Sequence, residues 1–148
     1  MAIASCLVDT NILLRLSRRS DLRHESASGA ISRLAAQGAN LYFTHQNIAE
    51  LWNVMTRPIA RNGFGLTIND AEKEVQAIEI GMSLLPDNEN VYAEWRRIVV
   101  QYQVSGVQVH DARLAAAMIV HKIDHLLTMN TSDFDRYDRI TAISPDGV

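Results

Sequence analysis

Short apolar runs alternate with stretches of helical period along this chain, and that alternation limits the folds open to it more than any other feature. Residues 3–8, Ile3-Ala4-Ser5-Cys6-Leu7-Val8, form one such run and stop at Asp9. Such a run suits a strand of a parallel sheet buried on both faces. Ile12, Leu13 and Leu16 then repeat at helical spacing over 11–19. Asp21 is placed to cap a helix over 22–37 whose apolar residues include Leu22, Ile31 and Leu34, with Gly38 ending it. Residues 41–44 read as a second strand. A helix over 45–56 carries Ile48, Leu51, Trp52 and Met55 on one face, and Pro58 stops it. A loop over 61–66 follows. A helix starting at Thr67 or Asn69 carries Ala71, Val75, Ile78, Met82 and Leu85 up to Pro86. The period returns over 88–103 and, in a small-residue helix, over 109–122. Strands are expected over 125–128 and 140–143, with a short turn or helix over 133–137. Strands alternating with helices indicate an α/β domain with a mainly parallel sheet.

Composition narrows the class. With 148 residues, 47% hydrophobic and 21% charged, the chain has enough apolar material for one core, so residues 1–148 read as a single domain. A net charge of −3 argues against binding nucleic acid by bulk charge, though not against a local site. The single cysteine, Cys6, allows no intrachain disulfide and no thiolate zinc site, and its apolar setting predicts a buried, inert thiol. No apolar stretch reaches the ~18 residues of a membrane span. No basic region precedes an apolar segment at the N-terminus. A cytoplasmic protein away from membranes is therefore expected.

Ligands of an open parallel sheet gather outside the carboxyl ends of its strands. Asp9 follows the first strand directly, and Asp133 lies just beyond the strand ending at Thr128. Glu50 sits between Ile48 and Leu51, so it is expected to border a buried face. Asp111 opens the helix over 109–122. Taken singly, each has an ordinary explanation: a turn residue, a helix-end acid, or an acid paired with a base such as Arg57. Four carboxylates meeting in one pocket would repel one another, and a divalent cation relieves that. Oxygen donors suit Mg²⁺ or Mn²⁺, and no Cys/His set of zinc spacing competes.

Four segments carry a family resemblance: Leu7-Val8-Asp9-Thr10-Asn11-Ile12-Leu13, Asn47-Ile48-Ala49-Glu50-Leu51-Trp52-Asn53-Val54, Val109-His110-Asp111-Ala112-Arg113-Leu114-Ala115-Ala116 and Leu127-Thr128-Met129-Asn130-Thr131-Ser132-Asp133-Phe134. In order and spacing they resemble the four acidic motifs of the PIN-domain nucleases, in particular the VapC-type toxins of bacterial toxin–antitoxin pairs. The resemblance implies a three-layer α/β/α sandwich and a metal-dependent endoribonuclease. Asp9, Glu50, Asp111 and Asp133 match the catalytic acids, which would hold one or two Mg²⁺ or Mn²⁺ ions. Thr10, Asn11, Thr128 and Asn130 match the polar residues that orient those acids or bind the scissile phosphate. Hydrolysis by water implies 5′-phosphate and 3′-hydroxyl ends. The resemblance also implies RNA as substrate, a cognate antitoxin as partner and a homodimer.

Two alternatives share these motifs: a housekeeping RNA-processing nuclease without an antitoxin, and a catalytically silent RNA- or protein-binding module. Arg15, Arg18, Arg19 and Arg23 form a basic group that could contact RNA backbone, anchor an acidic partner segment or simply be solvated. His110 beside Asp111 reads as a local hydrogen-bonding residue. Trp52 and Trp95 read as core. With the four acids set aside, 13 acids face 14 bases, so the apparent acidity does not oppose an RNA substrate.

Overall fold

A computed structural model describes residues 2–148. Five strands form one sheet: β1 (Ser5–Val8), β2 (Asn40–Thr44), β3 (Ser83–Leu85), β4 (His125–Leu127) and β5 (Thr141–Ile143). Every pairing is parallel, and the spatial order is β3-β2-β1-β4-β5. The α-helices among the described residues are α1 (Thr10–Ser17), α2 (His24–Ala36), α3 (His45–Thr56), α4 (Ile68–Gly81), α5 (Glu89–Gln101) and α6 (Val109–His121).

Strand periodicity of two sorts the side chains to opposite faces. Cys6 and Val8 of β1, Leu41 and Phe43 of β2 and Leu127 of β4 join a core with buried residues of α1 to α4. Leu7 and Leu126 face the other way, into a core with Val91 and Ile98 of α5 and the alanines of α6. The result is the expected three-layer α/β/α sandwich. Its sheet is wholly parallel, which the covering of both faces explains. Ala112, Ala115 and Ala116 are fully buried, so the backbone of α6 comes close to its neighbours. Cys6 is buried, and burial pushes its thiol up to about 12, in keeping with an inert role.

The chain runs outward from β1 to β2 and β3, then crosses through α5 and α6 to β4 on the far side of β1. The order of connections therefore reverses between β1 and β4. In parallel sheets the crevice at such a reversal is where ligands bind.

Two boundaries differ from the periodic reading. The helix expected to reach Pro86 ends at Gly81, and residues 83–85 pair with β2 as a strand. Ile78, Met82 and Leu85 fit a helical face by spacing, but in the extended chain Met82 packs on one core and Leu85 on the other. The second helix begins at His24, two residues later than expected. Asp21 does not cap it; its carboxylate accepts the Arg23 N–H and its carbonyl the His24 N–H. Leu22 is consequently in solvent rather than on a core face.

The close packing of α6 is testable. Ala116→Leu forces a larger side chain into filled space and is expected to cost about 1–3 kcal/mol. The expected readout is a lower urea midpoint with an unchanged m value; an unmoved midpoint would contradict the packing described.

Candidate active site

Asp9 closes β1 and caps α1. Its backbone continues the ladder by donating to the Leu127 carbonyl at 3.0 Å, and its own carbonyl accepts from Ile12 and Leu13. One side-chain oxygen accepts the Thr10 N–H at 2.7 Å. The other accepts the Thr128 hydroxyl at 2.8 Å and the Asn11 amide at 3.4 Å. The Thr128 oxygen in turn accepts from the Asn11 side-chain amide and from the Asn130 N–H. With both lone pairs engaged, the hydroxyl proton has only Asp9 to go to. Asn11 completes the link by accepting the Met129 N–H at 3.1 Å. Asp9 and Thr128 thus stitch β1 to β4 at the reversal point.

Asn47, fully buried, is the residue the sequence reading did not single out. It forms a capping box with Thr44, accepting the Thr44 N–H and hydroxyl and donating its own N–H to the Thr44 oxygen. Its side-chain amide donates to the Thr10 hydroxyl at 3.0 Å. This holds the start of α3 against the start of α1. The pattern Thr44-x-x-Asn47 ahead of an apolar helix was the available signal. Gln46 donates to the His110 carbonyl at 3.0 Å, tying α3 to α6. The Trp95 indole donates to the Val109 carbonyl and anchors the same helix start to α5.

These ties bring Asp9, Glu50, Asp111 and Asp133 to the wall of one open cavity of about 690 Å³. Their environments differ. Asp9 is buried, Asp111 is half-buried, and Glu50 and Asp133 are exposed. Glu50 therefore does not border the core as expected: its side of α3 faces the cavity, and no ion pair joins it to Arg57, whose guanidinium donates to the Asn62 carbonyl. Burial raises the Asp9 carboxyl above its ordinary value. Its hydrogen bonds from Thr128 and Thr10 oppose that, and the charges of Glu50 and Asp133 add to it. Asp111 is pushed up to about 6 by burial, then by the charges of Asp9, Asp133 and Glu50, against a smaller opposing effect of His110.

The four acids thus feel one another. Among the described residues, the ion pairs join Arg97 to Glu94 and Arg113 to Asp87, so no cationic side chain pairs with the four. They line a shared space but are not drawn into a closed cage: among the described residues no three metal-ligating side chains cluster tightly. Carboxylates that repel one another and have no ion-paired base suit a hard divalent cation; Arg113 lines the same cavity, but its guanidinium is paired with Asp87. The donor set fits such an ion.

The flanking polar residues divide by role. Thr128 and Asn11 hold Asp9, and Thr10 is held by Asn47. Asn130 contributes its backbone N–H, while its side chain is exposed. His110 is exposed, with its carbonyl engaged by Gln46.

Comparisons with known proteins agree with this architecture. A family model described as "PIN domain" matches residues 6–140. No curated protein matches the chain in sequence. Among solved structures, a VapBC complex of Rickettsia felis bound to a promoter DNA fragment is similar with a TM-score of 0.69 at 14% identity, covering 95% of this chain and 98% of that one. A toxin–antitoxin complex of Klebsiella pneumoniae gives 0.65 at 18%, covering 97% and 99%. A VapC toxin of Mycobacterium tuberculosis, described as cleaving the sarcin–ricin loop, gives 0.61 at 19%, covering 88% and 92%. At these identities the likeness is one of fold.

The raised Asp111 carboxyl predicts a stability effect. An acid held above its unfolded value destabilises the folded protein once it ionises, so the penalty grows as pH rises from about 4 to about 6 and is complete at pH 7. Asp111→Asn removes it. In EDTA at pH 7 that variant is expected to gain about 1 kcal/mol, since water reaches a half-buried group, or roughly 2–4 °C in Tm. The gain should vanish near pH 4; a lower Tm at pH 7 would refute the electrostatic account. Asn47→Ala is expected to lose about 1–3 kcal/mol by leaving buried Thr44 and Thr10 groups unpaired, read as a lower urea midpoint.

Proposed function

Because this chain belongs to the PIN-domain family, we propose that it is a metal-dependent endoribonuclease and the toxin of a toxin–antitoxin pair. The observation that carries the reading is the convergence of Asp9, Glu50, Asp111 and Asp133, from four separate segments, on one cavity at the sheet's reversal point; Arg113 also lines it but is paired with Asp87, and among the described residues no base is ion-paired to the four. Residues 1–148 are read as one nuclease domain, supported by the family match over 6–140. The toxin role draws support from the fold shared with VapC and toxin–antitoxin structures. It sets the protein in the cytoplasm with a cognate antitoxin. No helix of the described residues is long and apolar enough to cross a membrane. A second copy of the chain and the antitoxin would cover exposed apolar side chains such as Tyr92 and Val100.

In this proposal Asp9, Glu50, Asp111 and Asp133 hold one or two Mg²⁺ or Mn²⁺ ions. Such an ion, when bound, polarises the phosphodiester and acidifies a water. The protein's own contribution is placement. Asp9 accepts from three donors, two of them on one oxygen, so the lone pair left to it is on the oxygen that accepts the Thr10 N–H. Glu50 and Asp133 reach into the cavity from solvent-accessible positions. The Asn130 side chain is free to donate to a phosphate oxygen. Without the cation the acids repel an RNA strand, so RNA binding is expected to depend on it. Hydrolysis by water leaves 5′-phosphate and 3′-hydroxyl ends.

The test is cleavage of single-stranded RNA by the purified protein with Mg²⁺ or Mn²⁺, with mapping of 5′-phosphate ends. EDTA is expected to abolish cleavage. Asp111→Asn is expected to lower it on the order of 100-fold or more while the circular dichroism spectrum is kept. Asp9→Asn is expected to be as inactive, though its structural bonds make it the less clean variant. Cleavage by Asp111→Asn at the wild-type rate, or none by the wild type, would sink the assignment.

A further inference from the structure

The basic group beside the first acidic motif divides once its contacts are known. The Arg15 guanidinium donates to the Asn11 carbonyl at 3.0 Å and is half-buried. Arg18 lies over the Phe64 ring, 4.8 Å from its centroid. Arg19 borders an apolar groove between α1, α2 and α4. Two of the four reach the carboxyl edge of the sheet, and they differ in what is left to them: Arg15 is committed to the Asn11 carbonyl and half-buried, whereas Arg23 is exposed with its Nη1 3.5 Å from the Met129 sulfur. Met129 is bonded through its N–H to Asn11, and Asn11 is bonded to Asp9. A short chain of contacts therefore leads from Arg23 to the most buried of the four acids.

A thioether is a weak acceptor, and among the described residues no carboxylate pairs with Arg23. The exposed guanidinium thus keeps most of its donors for another group. Arg23, Met129 and Asn11 also do not line the cavity. A strand whose scissile phosphate lies among the acids must continue beyond them, and the acids themselves repel it. A guanidinium just outside the cavity offsets that repulsion, with a planar fork matched to phosphate oxygens.

We propose that Arg23 binds an RNA backbone phosphate flanking the scissile bond, on the Met129 side of Asp9, as a positioning residue. The inference rests on the nuclease reading above for its RNA substrate. It concerns binding, so it is tested by binding. The protein with all four acids intact and Ca²⁺ in place of Mg²⁺ serves as the uncut background, since Ca²⁺ also takes carboxylate oxygens, and it is titrated with a labelled single-stranded RNA oligonucleotide over a series of salt concentrations. Adding Arg23→Ala is expected to weaken binding roughly threefold to tenfold and to flatten the log–log salt slope by about 0.7. Arg23→Lys should recover part of the affinity. Arg61→Ala, which removes an equal charge beyond the C-terminal end of α3, should change neither quantity. In the otherwise native protein, Arg23→Ala should raise KM while kcat stays within about twofold.

Wild-type affinity and slope in Arg23→Ala would overturn the proposal and leave Arg23 for an acidic protein segment. An equal loss in Arg61→Ala would overturn it in favour of bulk charge, and absence of RNA binding by the Ca²⁺-loaded protein with all four acids intact would also overturn it. Arg23-dependent binding without cleavage by the wild type would uphold the contact while removing the nuclease reading.

Discussion

A buried carboxylate at the end of the central strand is the constraint on which the rest of this structure depends. Asp9 sits where burial penalises charge, yet it is the N-cap of α1 and the hydrogen-bond partner of β4. Unmet, such a group would cost several kcal/mol. It is met by a backbone N–H, a hydroxyl with no alternative acceptor and a side-chain amide. Each of those donors is itself held. Satisfying one acid thus fixes the relative positions of β1, α1 and β4, and through Thr10 and Asn47 that of α3 as well.

The other three acids exploit that frame and do not build it. Glu50 and Asp133 are exposed, and Asp111 is half-buried at the start of α6. Their mutual repulsion is tolerated because the helices carrying them are secured elsewhere: α3 by its capping box and α6 by buried alanines and the Trp95 bond. The energetic strain of the site is thereby held by packing remote from it. That division suits a site meant to receive positive charge from outside the chain, and it makes the ordering of the strand ends the property on which the proposed chemistry rests.

Most of the architecture was legible from periodicity because the elements that matter are short, strongly apolar and punctuated by residues such as Gly38 and Pro58. The misreadings have physical causes. Ile78, Met82 and Leu85 satisfy a helical face and a strand flip equally well, and only pairing with β2 selects the strand. Glu50 between Ile48 and Leu51 looks like an acid beside a core, but the face of α3 it occupies opens onto the cavity. Leu22 looks like a core residue until α2 is seen to start after it. Asn47 was passed over because a neutral amide inside an acidic motif carries no chemistry until its partners are known.

By itself the sequence determined the class of fold, because that follows from local pattern, apolar runs alternating with stretches of period 3.6; it offered the four acids as candidates through the resemblance of their segments, in order and spacing, to the PIN-domain motifs. Only the tertiary structure decided which acid is buried, which ones face water, that Asn47 and Thr128 hold the frame, and that Arg23 rather than Arg15 keeps an exposed guanidinium at the strand edge. Those outcomes depend on contacts between segments as far apart as Asp9 and Thr128, where the free energy of a charge or a donor is set by neighbours that no local pattern contains.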